Sequence, residues 1–266
     1  MIPTSTVSTL LTDVDVVDVG TGPTVALAHG AGGGVVANFH PLIDAASDAF
    51  RFVGPSYPGS GSTPAPPGPL ELERLADCVV AAGLRTGAER FPVVGLSLGA
   101  AVATTAAARH PEHVSALVLT VGLARPDAQS RSFTRLWRAL DAREDWTALA
   151  SLMLLTVGTG HDLQAVTEAD RLDETLSQIV RDHSRGSVAQ AELVERVDVT
   201  PLLPRIAVPT LVVVAGSDRI VLPETARLFG TIPGARTIEL PDAGHVFDPA
   251  RAARWRDEVL GFLRAA

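Results

Sequence analysis

The segment that decides the fold reads FPVVGLSLG over residues 91–99. Its apolar beginning is typical of a buried strand, and the Ala-rich residues 98–109 that follow predict a helix. Between them, Gly95 and Gly99 flank Ser97. A tight strand-to-helix turn strains the central residue, and neighbouring chain crowds the positions two residues away, so glycine fits there. The pattern predicts a nucleophilic serine raised above a sheet edge, with the first amides of the helix directed towards it.

Short apolar strands alternate with helical patterns on both sides of this segment. Such alternation implies an α/β fold class, with a mostly parallel central sheet and helices on both faces. The alternating run at 13–19 predicts a half-exposed strand near the sheet edge. Strands are predicted over 13–19, 24–29, 51–54, 91–96, 114–121, 210–215 and 236–240, and helices over 70–84, 98–109, 223–229 and 249–263.

The middle of the chain has a different character. Residues 123–205 show helical periodicity, many Arg and Asp residues and no convincing strand. We interpret them as a helical cap or lid over the carboxyl edge of the sheet, where α/β folds bind ligands. The predicted domains are an α/β core, residues 1–122 and 206–266, and a cap, residues 123–205.

A glycine-rich run, HGAGGG over residues 29–34, follows the second predicted strand. The oxyanion of an acyl-transfer reaction needs two backbone N–H donors from separate places. We predict that Leu98, next after the serine, supplies one and Ala31 the other, with Gly32 as the alternative. A dinucleotide or phosphate loop is the rival interpretation, but the run lacks a following Lys and an acidic ribose partner. For His29 we expect a structural hydrogen-bonding role.

Two further polar residues follow predicted strands. Asp218 comes just after the apolar run TLVVVA, and His245 lies in the loop after RTIEL. A carboxylate at a strand end can hold a histidine in the right tautomer and stabilise its imidazolium form. The chain order Ser97, Asp218, His245 is the one expected of a nucleophile on a strand-to-helix turn. These three are the predicted catalytic triad, with Asp242 as a less well placed substitute for Asp218.

Composition excludes several classes of function. The chain of 266 residues has no Lys, which rules out a Schiff-base lysine, a P-loop lysine and a Ser-Lys dyad. Cys78 is the only cysteine, so neither an intramolecular disulfide nor a thiolate metal cluster can form. The formal net charge of -8 and the lack of basic runs argue against a nucleic-acid partner. We expect no metal or organic cofactor.

Targeting signals are not evident in the sequence. The first residues lack a basic and apolar leader, and no stretch approaches the roughly 20 apolar residues of a membrane span. The sequence therefore predicts a cytoplasmic protein with a small-molecule substrate as its partner and no membrane partner. If the protein assembles, we expect a homodimer.

These motifs resemble those of the α/β-hydrolase superfamily, in particular its bacterial enol-lactonases, non-haem haloperoxidases or perhydrolases, and small esterases. The resemblance covers the chain on either side of the cap through VVGLSLGAAVA (93–103), PTLVVVAGSDRIV (209–221) and DAGH (242–245). The family usually has an Asp just before the Pro-Gly of the loop at 57–63, where this chain has Ser56-Tyr57. That departure leaves the triad untouched but weakens any substrate assignment taken from relatives.

Substrate contacts are harder to predict than the triad. We expect Gly32, Tyr57 and Trp137 to contact substrate, although a Tyr at the position of Tyr57 is more often a packing residue. Aromatic and sulfur side chains of the cap would line the pocket from above or fill the core of the cap, and Arg side chains there could meet a free carboxylate. The first group comprises Phe133, Trp137, Trp146 and Met153, and the second Arg125, Arg131 and Arg135. Structural or surface roles are expected for His161 and His183.

Fold does not determine reaction among such proteins. The sequence predicts a serine hydrolase that acts on an ester, lactone or thioester of a small-to-medium, partly apolar substrate through an acyl-enzyme. One alternative is a tailoring enzyme of bacterial secondary metabolism that uses the same triad for elimination, C–C cleavage or cyclisation. The second alternative is a non-catalytic ligand receptor.

Overall fold

The computed structural model describes residues 4–184 and 186–266. At its centre lies a seven-stranded sheet with the strand order β1-β3-β2-β4-β5-β6-β7. The edge strand β1 runs antiparallel to β3, and the five other neighbouring pairs are parallel. The bounds are β1 Val16–Gly20, β2 Thr24–Ala28, β3 Arg51–Pro55, β4 Phe91–Leu96, β5 Val114–Thr120, β6 Thr210–Ala215 and β7 Arg236–Leu240.

Helices cover both faces of the sheet and fill the segment between β5 and β6. The α-helices are α1 Thr4–Leu10, α2 Val35–Ala46, α3 Leu72–Arg85, α4 Leu98–Arg109, α5 Ala128–Asp141, α6 Trp146–Val157, α7 Gly160–Glu168, α8 Leu172–Asp182, α9 Val188–Val194, α10 Pro223–Ala226 and α11 Pro249–Ala265. Two 3₁₀ segments, Thr200–Arg205 and Arg227–Thr231, complete the set. The predicted α/β class, with a mostly parallel sheet and helices on both faces, is confirmed.

Most predicted elements begin and end within two residues of the observed bounds. The strand expected at 13–19 begins only at Val16, and the helix expected at 223–229 gives way to a 3₁₀ segment after Ala226. Two helices have no counterpart in the prediction. Helix α2 contains Pro41, which normally argues against a helix interior, and α1 is rich in Ser and Thr, which are weak helix formers.

The core lies on the two faces of the sheet. Strands β2 and β6 are buried along their whole length, as fits strands that helices cover on both sides. One hydrophobic cluster joins the sheet to α3 and α4, and the other joins it to α2 and α11. On the second face the buried Trp255 indole donates to the Thr120 hydroxyl at 2.9 Å. The carboxyl ends of β2, β4, β5 and β6 lie in this order along one edge of the sheet.

Helices α5 to α9 lie between β5 and β6, in the segment that we interpret from the sequence as a cap, and are called the cap below. Asp127 begins it with a capping box, in which its carboxylate accepts from the Ser130 amide at 2.7 Å. Within the cap, the Arg138 guanidinium pairs with Glu192 and Glu195 and so ties α5 to α9. No strand occurs in the described part of residues 123–205. Over the described residues, moreover, no helix has the length and apolarity that crossing a bilayer demands.

Candidate active site

The turn between β4 and α4 carries Ser97 in a strained conformation. Its backbone angles are φ 57° and ψ -120°, a region that residues with a Cβ rarely adopt. A Cβ at Gly95 would overlap the Gly99 carbonyl, and one at Gly99 would overlap the Ala28 carbonyl of β2. The two glycines are therefore required by close backbone approach, as the sequence predicts. Strain that the surrounding fold maintains in this way is typical of functional sites.

Three side chains from three different strand ends form one hydrogen-bonded chain. The His245 Nδ1 lies 2.7 Å from Asp218 Oδ2, and its Nε2 lies 3.0 Å from Ser97 Oγ. All three residues are buried, with 7–9% of their surface exposed. Since an ionised carboxylate can only accept, Nδ1 carries the proton and Nε2 is free to accept the serine proton. The structure thus brings together the three residues that the sequence predicts as a triad.

The loop after β6 holds Asp218 in place. Its Oδ1 accepts from the amides of Ile220 and Val221 at 2.8 and 3.0 Å, which leaves Oδ2 for His245. Asp242, the alternative to Asp218, is exposed and makes no hydrogen bond to His245 among the described residues. The geometry therefore favours Asp218 as the partner of the histidine.

Backbone N–H groups face the serine from two sides. Leu98 is the first residue of α4, so its amide has no acceptor inside the helix. On the other side, the Gly30 amide donates to Asn38 Oδ1 at 2.8 Å and the Gly32 amide to Gln190 Oε1 at 2.9 Å. The structure thus shows the alternative donor, Gly32, already engaged. Ala31 lies between these two anchored residues and lines the cavity at Ser97.

His29 and Tyr57 form a separate unit behind this loop. The His29 Nδ1 donates to the Gly30 carbonyl at 2.8 Å, and its Nε2 accepts from the Tyr57 amide at 2.9 Å. Burial lowers the pKa of His29 to about 4, so the ring is neutral at pH 7. The Tyr57 ring stacks on it at 3.8 Å between centroids and lies outside the Ser97 cavity. The prediction of a substrate contact by Tyr57 is corrected accordingly, since its ring packs against His29.

A cavity of about 280 Å³ opens above Ser97 and His245. Its walls come from the glycine-rich loop, the loops after β6 and β7, and the cap. Gly32 and Trp137 line it as the sequence predicts, and the two are in contact, because a Cβ at Gly32 would meet the indole at 2.5 Å. The apolar lining residues of the cap and its flanks are Leu123, Phe133, Trp137, Met153, Val157, Ile179 and Val194.

Other cap residues lie differently from the expectation. Trp146 does not line the cavity and instead packs against the His183 ring, 5.5 Å away. His183 itself lines the cavity. Besides the structural or surface role expected for it, it therefore forms part of the cavity wall. His161 is exposed. The described residues contain no group of three or more His, Cys, Asp or Glu side chains placed to hold a metal ion.

None of the three cap arginines reaches the cavity. Arg125 and Arg131 line a different depression, and Arg135, whose side chain is 70% exposed, lies 3.9 Å from Glu195. The expectation that they meet a substrate carboxylate is wrong, because Arg131 and Arg135 on α5 and Arg125 just before it are exposed to solvent. Of the cap residues that the structure describes, one carboxylate lines the cavity, the exposed Asp182 at the end of α8.

Three residues around the site are not among those predicted from the sequence, namely Asn38, Gln190 and Asp182. Asn38 lies one turn into α2, the helix that was not predicted, and its place eight residues after Gly30 offered a weak signal. Gln190 is separated from Gly32 by 158 residues, and nothing in its local sequence indicates the contact. Long-range hydrogen bonds of this kind depend on how the cap sits on the core.

A family model, a curated relative and solved structures all relate this chain to hydrolases of one fold. The model of the protein family described as the alpha/beta hydrolase fold matches residues 23–247 of this chain. The chain is 35% identical, over 85% of each chain, to the pyrrolizixenacetamide deacetylase of Xenorhabdus hominickii. Among solved structures, the enol-lactonase of Burkholderia xenovorans LB400 has a TM-score of 0.80 at 25% identity, covering 94% of this chain and 96% of that one.

A thermophilic esterase from Thermogutta terrifontis is similar as well, with a TM-score of 0.78 at 28% identity over 94% of this chain and 93% of that one. The matched segment spans the Ser97 turn, the Asp218 loop and the His245 loop. The chain is therefore a hydrolase and belongs to the α/β-hydrolase family.

Proposed function

We propose that this enzyme is a serine hydrolase that cleaves an ester, lactone or thioester bond of a small, largely uncharged substrate through an acyl-enzyme. The observation that carries the proposal is the hydrogen-bonded chain from Asp218 through His245 to Ser97, which opens onto an apolar cavity. An adjacent base makes an otherwise weak serine nucleophile reactive.

Acylation begins when Ser97 Oγ attacks the carbonyl carbon. His245 Nε2 takes the hydroxyl proton, and the Asp218 carboxylate stabilises the imidazolium that forms. The substrate oxygen becomes an oxyanion, which accepts hydrogen bonds from the amides of Leu98 and Ala31. Collapse of the tetrahedral intermediate expels the alcohol or thiol, which leaves with the proton from His245.

Deacylation repeats these steps with water as the nucleophile. His245, neutral again, takes a proton from a water molecule that attacks the ester of Ser97. The second tetrahedral intermediate uses the same two amides. Its collapse returns the proton to Ser97 and releases the carboxylic acid, so that one water molecule is consumed in each turnover.

The cavity defines the kind of substrate. At about 280 Å³ it accommodates a small molecule, and its walls are mostly apolar. Among the described residues no Arg side chain lines it, whereas Asp182 stands at its edge. An acyl or alcohol part that carries a free carboxylate would lose its hydration without gaining an Arg partner among the described lining residues, so we expect neutral or cationic substrates to be preferred. The names of the two similar structures, an enol-lactonase and an esterase, support lactone and ester bonds as the type of bond cleaved.

Removal of an N-acetyl group is the second candidate, because the 35% identical relative is named as a deacetylase of an acetamide. The same nucleophile and oxyanion donors serve amide cleavage when His245 protonates the leaving nitrogen. Comparing p-nitrophenyl acetate with p-nitroacetanilide distinguishes the two candidates. A kcat/KM for the anilide comparable to that for the ester would favour the deacetylase.

Kinetics with p-nitrophenyl butyrate test the main proposal. We expect steady hydrolysis by the wild type and a loss of at least about 10³-fold in Ser97→Ala. Ser132→Ala is the matched control, since this serine is exposed on α5 and its hydroxyl donates to the Ala128 carbonyl at 2.7 Å. Thermal unfolding would establish that both variants fold. A folded Ser97→Ala protein with wild-type turnover would refute the proposal. A wild type that binds esters and lactones without turning them over would favour a receptor.

A further inference from the structure

Gln190 is a cap residue whose side chain ends in the core. It lies on α9, has no exposed surface and uses its whole amide group. Oε1 accepts from the Gly32 amide at 2.9 Å, while Nε2 donates to the Pro58 carbonyl at 3.0 Å and to the Ser60 hydroxyl at 2.9 Å. One side chain thus joins the cap to two separate loops of the core.

The surrounding backbone is shaped for this contact. Gly59 has a φ of 88°, and a Cβ on it would overlap the backbone of Gly186. In turn, a Cβ on Gly186 would lie 2.8 Å from the Gly59 Cα. The Ser184 hydroxyl donates to the Gly59 carbonyl beside this approach. Since both positions lack a side chain, the start of α9 lies close enough to the loop for Gln190 to reach through to Gly32.

The contact bears directly on the oxyanion donor. Gly32 follows Ala31 and has a φ of 73°, so its amide sits in a turn whose other end is Gly30. With the Gly30 amide held by Asn38 and the Gly32 amide by Gln190, the orientation of the peptide between them is fixed at both ends. A donor aimed before the reaction begins needs no reorganisation when the oxyanion forms.

We propose that Gln190 is a positioning residue of the cap that fixes the Ala31 amide for oxyanion stabilisation. The inference rests on the proposed function, because it presupposes a serine nucleophile and an oxyanion. Gln190 itself does not touch the reacting atoms. Its effect is on the transition state, where the donor must be correctly placed, and hardly on ground-state binding, because the apolar cavity walls come from other residues.

The test compares Gln190→Met with the wild type. Met has a similar length and volume but neither accepts from Gly32 nor donates to Pro58. We expect kcat to fall by about 10- to 100-fold, as for a displaced oxyanion donor, with KM within about twofold. The inhibition constant of an aryl trifluoromethyl ketone, which forms a charged tetrahedral adduct with an active serine, should rise by the same factor as kcat/KM falls.

Two more variants control for general damage to α9 and for failure of Gln190→Met to fold. Ser187→Ala removes a fully buried hydroxyl at the start of α9 without touching Gly32, and we expect its kcat to stay within about twofold of the wild type. Gln190→Asn keeps an amide, but its side chain is one methylene shorter and cannot reach Gly32 and Pro58 at once. Its kcat should therefore also be lower than that of the wild type. If Gln190→Met does not fold, this variant carries the test.

The results separate this inference from the proposed function. Wild-type kcat and ketone affinity in a folded Gln190→Met protein would overturn the positioning role, as would losses equal to those of Ser187→Ala. A rise in KM alone would also overturn it. In each of these cases the loss of activity in Ser97→Ala would still stand. If instead Ser97→Ala stays active, or the ketone fails to bind the wild type, the proposed function itself is wrong.

Discussion

The sheet and the cap differ in how deeply their residues are buried. Strands β2 and β6, which lead into the oxyanion loop and the Asp218 loop, are buried at every position. In contrast, α7 and α8 of the cap have no fully buried residue among those described. The groups that need precise placement are thus carried by the part of the molecule that deforms least. The cap supplies walls, for which small displacements matter less.

The cap nevertheless contacts the reactive loops at a few defined points. Besides Gln190, the Val157 carbonyl at the end of α6 accepts from the amide of Val246, next to His245, at 2.8 Å. At the start of the cap, Asp127 Oδ2 accepts from the Leu222 amide at 2.9 Å, just after the Asp218 loop. The comparison predicts that changes in the core abolish chemistry or folding. Changes in the cap alter binding, except at points such as Gln190 where the cap holds a reactive loop.

The largest effect is expected from Asp218→Asn in the core. The amide can still accept from Ile220 at one end, but at the other it donates to His245 Nδ1 and so enforces the wrong tautomer. We expect kcat for p-nitrophenyl butyrate to fall by about 10⁴-fold with little loss of thermal stability. Asp242→Asn is the control and should leave kcat nearly unchanged. A large loss in the control and a small one in Asp218→Asn would reverse the assignment.

Next in size is the effect of Gly99→Ala on folding. The new methyl group would overlap the Ala28 carbonyl, which is backbone and cannot rotate away. We expect the free energy of unfolding, measured in urea, to fall by about 3 kcal/mol or the protein not to fold. Gly261→Ala on α11 meets nothing within 4 Å and should instead stabilise by about 0.5 to 1 kcal/mol. Equal stabilities for the two variants would contradict the close packing of the turn.

The cap should show a smaller effect, confined to binding. Met153 is half-buried and lines the cavity from α6. In Met153→Ala we expect KM for an apolar ester to rise by about tenfold, because apolar contact with substrate is lost, while kcat changes little. Leu155→Ala, on the same helix but 56% exposed and outside the cavity, should have wild-type kinetics. A fall in kcat with constant KM in Met153→Ala would mean that this wall residue, too, positions the reactive groups.

The smallest effect concerns charge at the edge of the cavity. Replacing Asp182 by Asn removes an exposed carboxylate that lines the cavity. We expect kcat/KM for an ester with a free carboxylate to improve by about two- to fivefold at low salt and the gain to shrink as salt is added. A neutral ester of the same size is the internal control. No change in the ratio between the two substrates would show that Asp182 lies outside the path of the substrate.

How far the sequence predicts this molecule depends on the range of the interactions. The strand-turn-helix at 91–109 and the strand ends before Asp218 and His245 are encoded by local patterns, and the structure agrees with them. Helix α2 is not predicted because a proline such as Pro41 locally disfavours a helix. The buried face of the helix, which packs on the sheet, nevertheless stabilises it. The roles expected of Arg125, Arg131 and Arg135 failed for a different reason. Composition shows that a cap has cations, but only tertiary packing decides which way they point.

Treatment with a fluorophosphonate probe, followed by intact mass spectrometry, tests the central claim most directly. An activated Ser97 should form a single phosphonate adduct within minutes, and the adduct should be absent from Ser97→Ala. Ser132→Ala, which keeps the nucleophile, should react like the wild type. A folded wild-type protein that gains no adduct, or a Ser97→Ala protein that gains one, would contradict the assignment of Ser97 as the nucleophile.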